Sequence, residues 1–259
     1  MNKEREKNQR RFSGVPRIYG ETAYQRFRHA HICVIGLGGV GSWVVEGLIR
    51  SGIGKVTLID MDHVAESNIN RQCQATDKTV GQAKTQALAE RIRSINPVCE
   101  IRCIDDFITP DNEVELLTQG YDWVIDCIDS FRTKASLIAY CRRNKIKLLT
   151  IGGAGGMTDP TKIRVADLSK TLQDPLLAKT RKLLRQHYDF PTNLSRRFGI
   201  PCVFSEEALL YPDGQGGVSS AKPSGVTSGL NCAGGFGSSV CVTAPIGFFA
   251  AGFVLQQLG

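Results

Sequence analysis

No two of the nine cysteines in this 259-residue chain stand at C-x-x-C spacing; they are scattered at 33, 73, 99, 103, 127, 141, 202, 232 and 241. A structural zinc knuckle needs paired thiolates at short spacing, so that class of site is argued against. An export signal is missing as well. The first residues, MNKEREKNQRRF, are charged and have no apolar core. An odd cysteine count without such a signal predicts a reducing, cytoplasmic setting. No internal repeat is visible. Nor is there an unbroken apolar run of the ~20 residues that span a bilayer. Residues 240–255 carry no charge, but Pro245, Gly247 and Gly252 interrupt them. They read as a buried or dimer-interface helix and no membrane span is expected, with a membrane anchor as the alternative.

What is present points to an α/β protein. A hydrophobic share of 42% is enough for a real core, and the length suits one large domain or a domain with an extension. The net charge of +7 suggests a polyanionic partner such as RNA. The chain is organised around ICVIGLGGVG, residues 32–41. Four apolar residues read as a buried parallel strand, the glycines as a turn, and residues 42–49 as a helix. Gly36 permits the tight turn, Gly38 and Gly39 let the backbone approach a ligand, and Gly41 lets the helix pack on the strand. Free N–H groups at the helix start favour a phosphate. Without its context the pattern is equally a glycine-rich turn.

Residues 55–60 read as a second strand ending in Asp60, which lies 24 positions after Gly36, near where an acid binds ribose hydroxyls. The polar stretch DHVAESNINRQ, residues 62–72, is more than a plain dehydrogenase needs. Asn70, Arg71 and Gln72 have the chemistry to reach phosphates. A helix is predicted over 18–28 and another over 80–95, with Lys84 in its first turns. A strand is predicted near 99–103, a helix over 110–119, a strand over 123–128 with Asp129 just after it, a helix over 132–144 and a strand over 147–151. Ligands of open α/β sheets bind beyond the carboxyl ends of the strands, so Gly36, Asp60 and Asp129 should share one rim. The cluster GGAGG, residues 152–156, reads as an anion or cation nest or as a plain turn. A short strand over 162–165 follows. Lys179, Arg181, Lys182 and Arg185 fall on a helical segment, with Arg196 and Arg197 beyond; the run is a solvated face or an RNA surface. Three segments are expected: a flexible basic tail over 1–16, a nucleotide-binding half over 17–155, and a C-terminal half of the same domain over 156–259.

GLGGVG, IDMDHVAESNINRQ, VGQAK and VIDCIDS together resemble the ATP-dependent adenylating enzymes of the ubiquitin-activating, ThiF and MoeB superfamily, over about residues 15–155. RIYG, DCIDSFRTK, YCRRNKI, GGAGG and CAGGFG extend the likeness over nearly the whole chain, to the superfamily's tRNA threonylcarbamoyladenosine dehydratases. The resemblance implies a Rossmann-like ThiF fold, mainly parallel with a mixed C-terminal extension. It implies ATP and Mg²⁺, and leaves a monovalent cation, Na⁺ or K⁺, open. Gly36, Gly38, Gly39, Gly41, Asp60, Asp62 and Asn68 would hold the nucleotide. Arg71 and Lys84 would hold triphosphate oxygens, and Asp129 would position the metal. Arg17, or as second choice Arg11, would reach the partner subunit's ATP in a homodimer. The implied reaction activates the threonine carboxylate of the modified adenosine 37 of tRNA, after which a nitrogen of the same side chain closes a ring. A thiol near an activated carboxylate can also form a thioester, so Cys232 is either a nucleophile or a small residue in a glycine-rich loop. A cysteine desulfurase and its sulfur-acceptor protein are further candidate partners.

Three rival readings stand beside this one. An E1-like adenylyltransferase of a sulfur-carrier or ubiquitin-like protein shares the whole ATP site, but such sulfur-activating relatives often carry C-x-x-C zinc ligands. An NAD-dependent oxidoreductase leaves Asn68, Arg71, Lys84 and Asp129 unexplained. A non-catalytic RNA-binding scaffold rests on charge alone.

Overall fold

The computed structural model describes residues 10–221 and 237–259. Its centre is a seven-stranded sheet of order β3-β2-β1-β4-β5-β7-β6. The strands are β1 His31–Ile35, β2 Lys55–Ile59, β3 Glu100–Ile104, β4 Trp123–Asp126, β5 Leu148–Ile151, β6 Ile163–Asp167 and β7 Pro201–Ser205. All pairings are parallel except β6 with β7, which is antiparallel. β4 and β5 are buried along their whole length, and only the first residue of β1, β2 and β7 is partly open. Continuous apolar runs of this kind belong to parallel sheets covered on both faces. β8 Tyr211–Pro212 and β9 Val218–Ser219 form a small separate ribbon.

Helices supply the two covers. They are α1 Val15–Tyr19, α2 Glu21–His29, α3 Gly41–Arg50, α4 Lys84–Ile95, α5 Glu113–Leu117, α6 Phe131–Arg143, α7 Pro175–His187 and α8 Val240–Leu258. On one face Phe27, Leu48, Leu88, Ile92 and Val254 bring α2, α3, α4 and α8 onto the sheet. On the other, Leu116, Leu137, Ile138, Leu177 and Leu184 bring down α5, α6 and α7. The apolar C-terminal segment packs along α3. A Cβ at Gly247 would come within 2.7 Å of Trp43 Cβ, and one at Gly47 within 2.9 Å of Ala251 Cβ, so both glycines set the closeness of that contact. By length and composition α8 is apolar enough to cross a membrane, yet half of its most apolar window is buried within the fold.

Several boundaries differ from expectation. The helix read over 18–28 is two helices, broken at Gly20 with φ 85°. Part of the expected tail is docked: Phe12 is 4% exposed, and Arg11 donates to the Ile95 carbonyl at 2.7 Å. α4 begins at Lys84 and not at residue 80, because Gly81 at φ 88° and a bridge between His63 and Ala83 hold the preceding chain in a turn. The helix expected over 110–119 contracts to five residues. The C-terminal half joins the same sheet through β5 and β7, a pairing that the loose sequence pattern after residue 156 did not reveal.

One charged group is buried beneath α3 and α4. Glu46, 4% exposed, accepts a forked pair from Arg91 at 2.7 and 2.8 Å and a third bond from Arg50 at 2.7 Å. Burial alone would raise its pKa, but the two guanidiniums outweigh it and hold the carboxyl below its usual range. A depressed folded pKa contributes stability above the unfolded value near 4.3 and loses it as pH falls through the folded one. Glu46→Gln is therefore expected to lower unfolding stability by about 1–2 kcal/mol at pH 7, discounted for the partly exposed arginines. Urea midpoints should show that gap closing as the pH is taken below 4.

Candidate active site

The strand order reverses between β1 and β4, and the crevice at their carboxyl ends gathers the sequence motifs. Register places Ile35 beside both Ile59 and Asp126, so the three strands end together. Backbone bonds continue past the ends: Gly36 N donates to Ile59 O at 2.9 Å and Cys127 N to Ile35 O at 2.8 Å. A Cβ on Gly36, whose φ is 86°, would meet Cys127 O at 2.9 Å. One on Gly41 would meet Gly36 O at 1.9 Å. Gly36 and Gly41 are thus steric requirements of the strand–turn–helix junction. Around Gly38 no atom lies within 4 Å of an added Cβ, which leaves the loop open for a ligand.

Asp60 anchors that loop. Its carboxylate accepts Leu37 N at 2.6 Å and Asp62 N at 2.8 Å, and burial pushes its pKa up against the pull of Lys84 and these two amides. Lys84, at the first position of α4 and 6% exposed, donates to Asp62 at 2.7 Å and lies 3.9 Å from Asp60. Asp62 is the solvent-facing partner, its side chain 59% exposed, while Asp60 is held by amides. A phosphate oxygen can replace Asp62 at the ammonium without disturbing Asp60.

Residues 62–72 fold over the glycine loop. The stem of Arg71 packs on it, since a Cβ at Gly39 would lie 3.2 Å from Arg71 Cδ. Its guanidinium donates to Ser67 O at 2.7 Å and Asn70 Oδ1 at 3.0 Å, and its carbonyl accepts Trp43 Nε1 at 2.8 Å. Asn68, 9% exposed, accepts Ala65 N at 3.1 Å, and its carbonyl receives Arg71 N and Gln72 N. Asn68 therefore shapes the turn that aims Arg71. Gln74, which the motif reading passed over, ties the same stretch to Leu37 O at 2.9 Å. Asp129 is exposed on the loop after β4. Gly36, Asp60 and Asp129 share the expected rim, with Arg71 and Lys84 beside them.

Other expectations fare differently. The GGAGG amides are largely committed: Gly152 N bonds Val203 O, Gly153 N bonds Asp174 Oδ2 and Gly156 N bonds Gly237 O. That supports a structural junction and not an anion nest. Arg17 is exposed on α1. Cys232 lies outside the described residues. Among the described cysteines at the rim, burial pushes the Cys127 thiol up, away from the thiolate a nucleophile needs.

Sequence reasoning missed the support beneath Asp129. Lys134 and Asp126, both 0% exposed, are paired at 2.7 Å. Thr150 donates to Asp126 at 2.6 Å, and Ile128 N donates to its other oxygen at 3.0 Å, which fixes the loop leading to Asp129. The only available signal was a lysine in the first turn of the helix, just ahead of the apolar run that begins at Ala135.

Comparison with known proteins agrees with this geometry. Residues 9–201 match the model of the ThiF family. The chain is 54% identical over 250 residues to the tRNA threonylcarbamoyladenosine dehydratase of Haemophilus influenzae, covering 96% of this chain and 94% of that one. The Escherichia coli protein of the same name is 53% identical over 249 residues, with 96% and 93% covered. The solved structure of that E. coli dehydratase in complex with ATP superposes with a TM-score of 0.86 at 50% identity, over 96% of this chain and 94% of that one. With a glycine turn, an Asp60 clamp and the cations Arg71 and Lys84 on one rim, and a family match over most of its length, the chain belongs to the ThiF family.

Proposed function

We propose that the protein catalyses the ATP-dependent dehydration of N6-threonylcarbamoyladenosine in tRNA to its cyclic form. The observation that carries this reading is the joining of Gly38, Arg71, Lys84 and Asp129 on one rim, in a chain alike over nearly its whole length to dehydratases of that name. ATP converts the threonine carboxylate into an activated acyl group. The chain's own residues do the rest. Lys84 and Arg71 neutralise phosphate oxygens, so that a second anion, the carboxylate, can come close. Asp60 holds the loop and has lone pairs left for ribose hydroxyls. Ring closure forms a bond from the nitrogen to the acyl carbon, breaks that carbon's bond to the phosphate-linked oxygen and releases the ATP-derived activating group and the nitrogen's proton. Holding both ends in one pocket makes it effectively unimolecular, which favours it over hydrolysis.

Among the described residues no cluster of three or more His, Cys, Asp or Glu is arranged to hold a metal. The rim offers Asp129 as a free carboxylate. That donor set fits Mg²⁺ carried on phosphate oxygens, since Mg²⁺ is commonly bound by one or two carboxylates plus substrate. Cys232 as a covalent acceptor and a bound Na⁺ or K⁺ remain separate proposals. A tRNA substrate also fits a cytoplasmic enzyme. The rival sulfur-carrier adenylyltransferase is separated by ATP turnover: it should be stimulated by tRNA bearing the modification, and not by a carrier protein's C-terminus.

The working unit is proposed to be a homodimer. Ile18 beside Arg17 is 78% exposed, and Phe248 and Phe249 on α8 are 44% and 45% exposed, an apolar surface that association would cover. Sedimentation at micromolar protein is expected to give a dimer. A fully active monomer would rule this out.

A further inference from the structure

Seven ion pairs join described residues, and of the cations of α6 and α7 only the buried Lys134, paired with Asp126 beneath the rim, takes part in one. These helices pack side by side on the face of the sheet opposite α8. Their cations face aromatic rings. Arg142 Cζ lies 4.2 Å from the centroid of Phe190 and Arg185 Cζ 5.0 Å from that of Phe198, two buried rings meeting edge to face at 4.9 Å. Arg132 Cζ at 4.9 Å and Lys179 Nζ at 5.4 Å both lie over Phe131.

The difference matters for charge. A carboxylate holds a cation by neutralising it, whereas a ring holds it through its quadrupole and leaves the charge intact. The face is therefore both ordered and positive, as a polyanion site needs. Its placement gives it direction. Phe131 opens α6 two residues after Asp129, and it is half-buried where Phe190 and Phe198 are buried. Arg181 does not belong to the face: it donates to the hydroxyl of buried Thr171, and burial lowers its pKa.

We propose that the α6–α7 face docks phosphates of the tRNA, and that Phe131, at its inner end beside Asp129, is the platform on which a nucleotide flanking the modified adenosine stacks. The proposal rests on the tRNA reading given above. Unpaired loop bases splay onto aromatic rings, while phosphate contacts fix register without reading sequence. Phe131 thus sets the reach of the loop into the rim, and Arg132 and Lys179 hold the backbone on either side of the stacked base.

The test uses the full chain and tRNA carrying the modification. Arg132→Gln, Arg142→Gln and Lys179→Gln together should weaken tRNA binding at least about tenfold and reduce the salt slope by about 2. Phe131→Leu should weaken binding with a much smaller change of slope than the triple variant, because it removes stacking and loosens Arg132 and Lys179 without deleting either charge. Amine acylation read by mass spectrometry supplies a check that needs no variant: Lys179 in the wild-type protein should be protected by tRNA. An unchanged slope in the triple variant, or an unprotected Lys179, overturns the proposal and leaves a solvated surface. If the wild-type protein binds the tRNA but leaves its nucleoside unaltered, the reaction assigned above fails and docking is judged by slope and protection alone.

Discussion

Alanine in place of Arg71, Lys84 or Asp129 is expected to lower turnover by about 10²-fold or more at each position, the usual cost of losing one preorganised charge contact. The three act differently and should fail differently. Arg71 is held over the glycine loop by its stem and by Trp43, so Arg71→Ala loses a cation whose position is set before substrate arrives. Lys84→Ala also strands Asp60, whose buried carboxylate would lose its counter-charge at 3.9 Å. ATP affinity should therefore fall along with turnover. Asp129 is exposed and supports nothing else, so Asp129→Ala should leave the fold intact and respond to raised Mg²⁺. Steady-state kinetics with a thermal melt of each variant makes the distinction. Near-normal turnover in all three would remove the assignment of the site.

The second large effect lies beneath the rim. Lys134→Met leaves Asp126 as an unpaired carboxylate in the core, and breaking a buried pair in this way costs about 3–5 kcal/mol. Thr150 and Ile128 N still bond Asp126, which places the expected loss near the lower end, about 3 kcal/mol. Adding Asp126→Asn should recover much of that loss, since replacing both charges is far milder than stranding one. Urea unfolding of the two single variants and the double gives the coupling directly. A double variant as unstable as Lys134→Met would mean that the lysine acts through packing and not through its charge. The pair also sets the loop before Asp129, so the double variant should remain slower than wild type even where its stability is restored.

How far these features could be read from sequence depends on where their cause lies. The glycine junction was legible because its cause is local: Gly36 and Gly41 meet backbone within a few residues or across one strand pairing. The shared rim followed from topology, since a chain that winds one way from β1 and returns as β4 must open its crevice there. Lys134 was not legible. A lysine on a helix reads as a solvated residue, and only β5, arriving beside β4 with Thr150, buries it. β7 escaped notice for a related reason: its partner β5 lies 50 residues earlier, and the pattern around it carries no period of its own. Arg181 shows the reverse error. It shared a charge run with Lys179 and Lys182, yet its helical position turns it toward Thr171 and away from solvent. Charge runs give composition, and only the packed helix says which members face outward.

The most direct measurement of the central claim is mass analysis of nucleosides from modified tRNA incubated with purified protein, ATP and Mg²⁺. The account predicts that N6-threonylcarbamoyladenosine loses one water and becomes its cyclic form, only when ATP is present, and that Lys84→Ala protein leaves it unchanged. An unaltered nucleoside alongside ATP consumption driven by a carrier protein's C-terminus would contradict it.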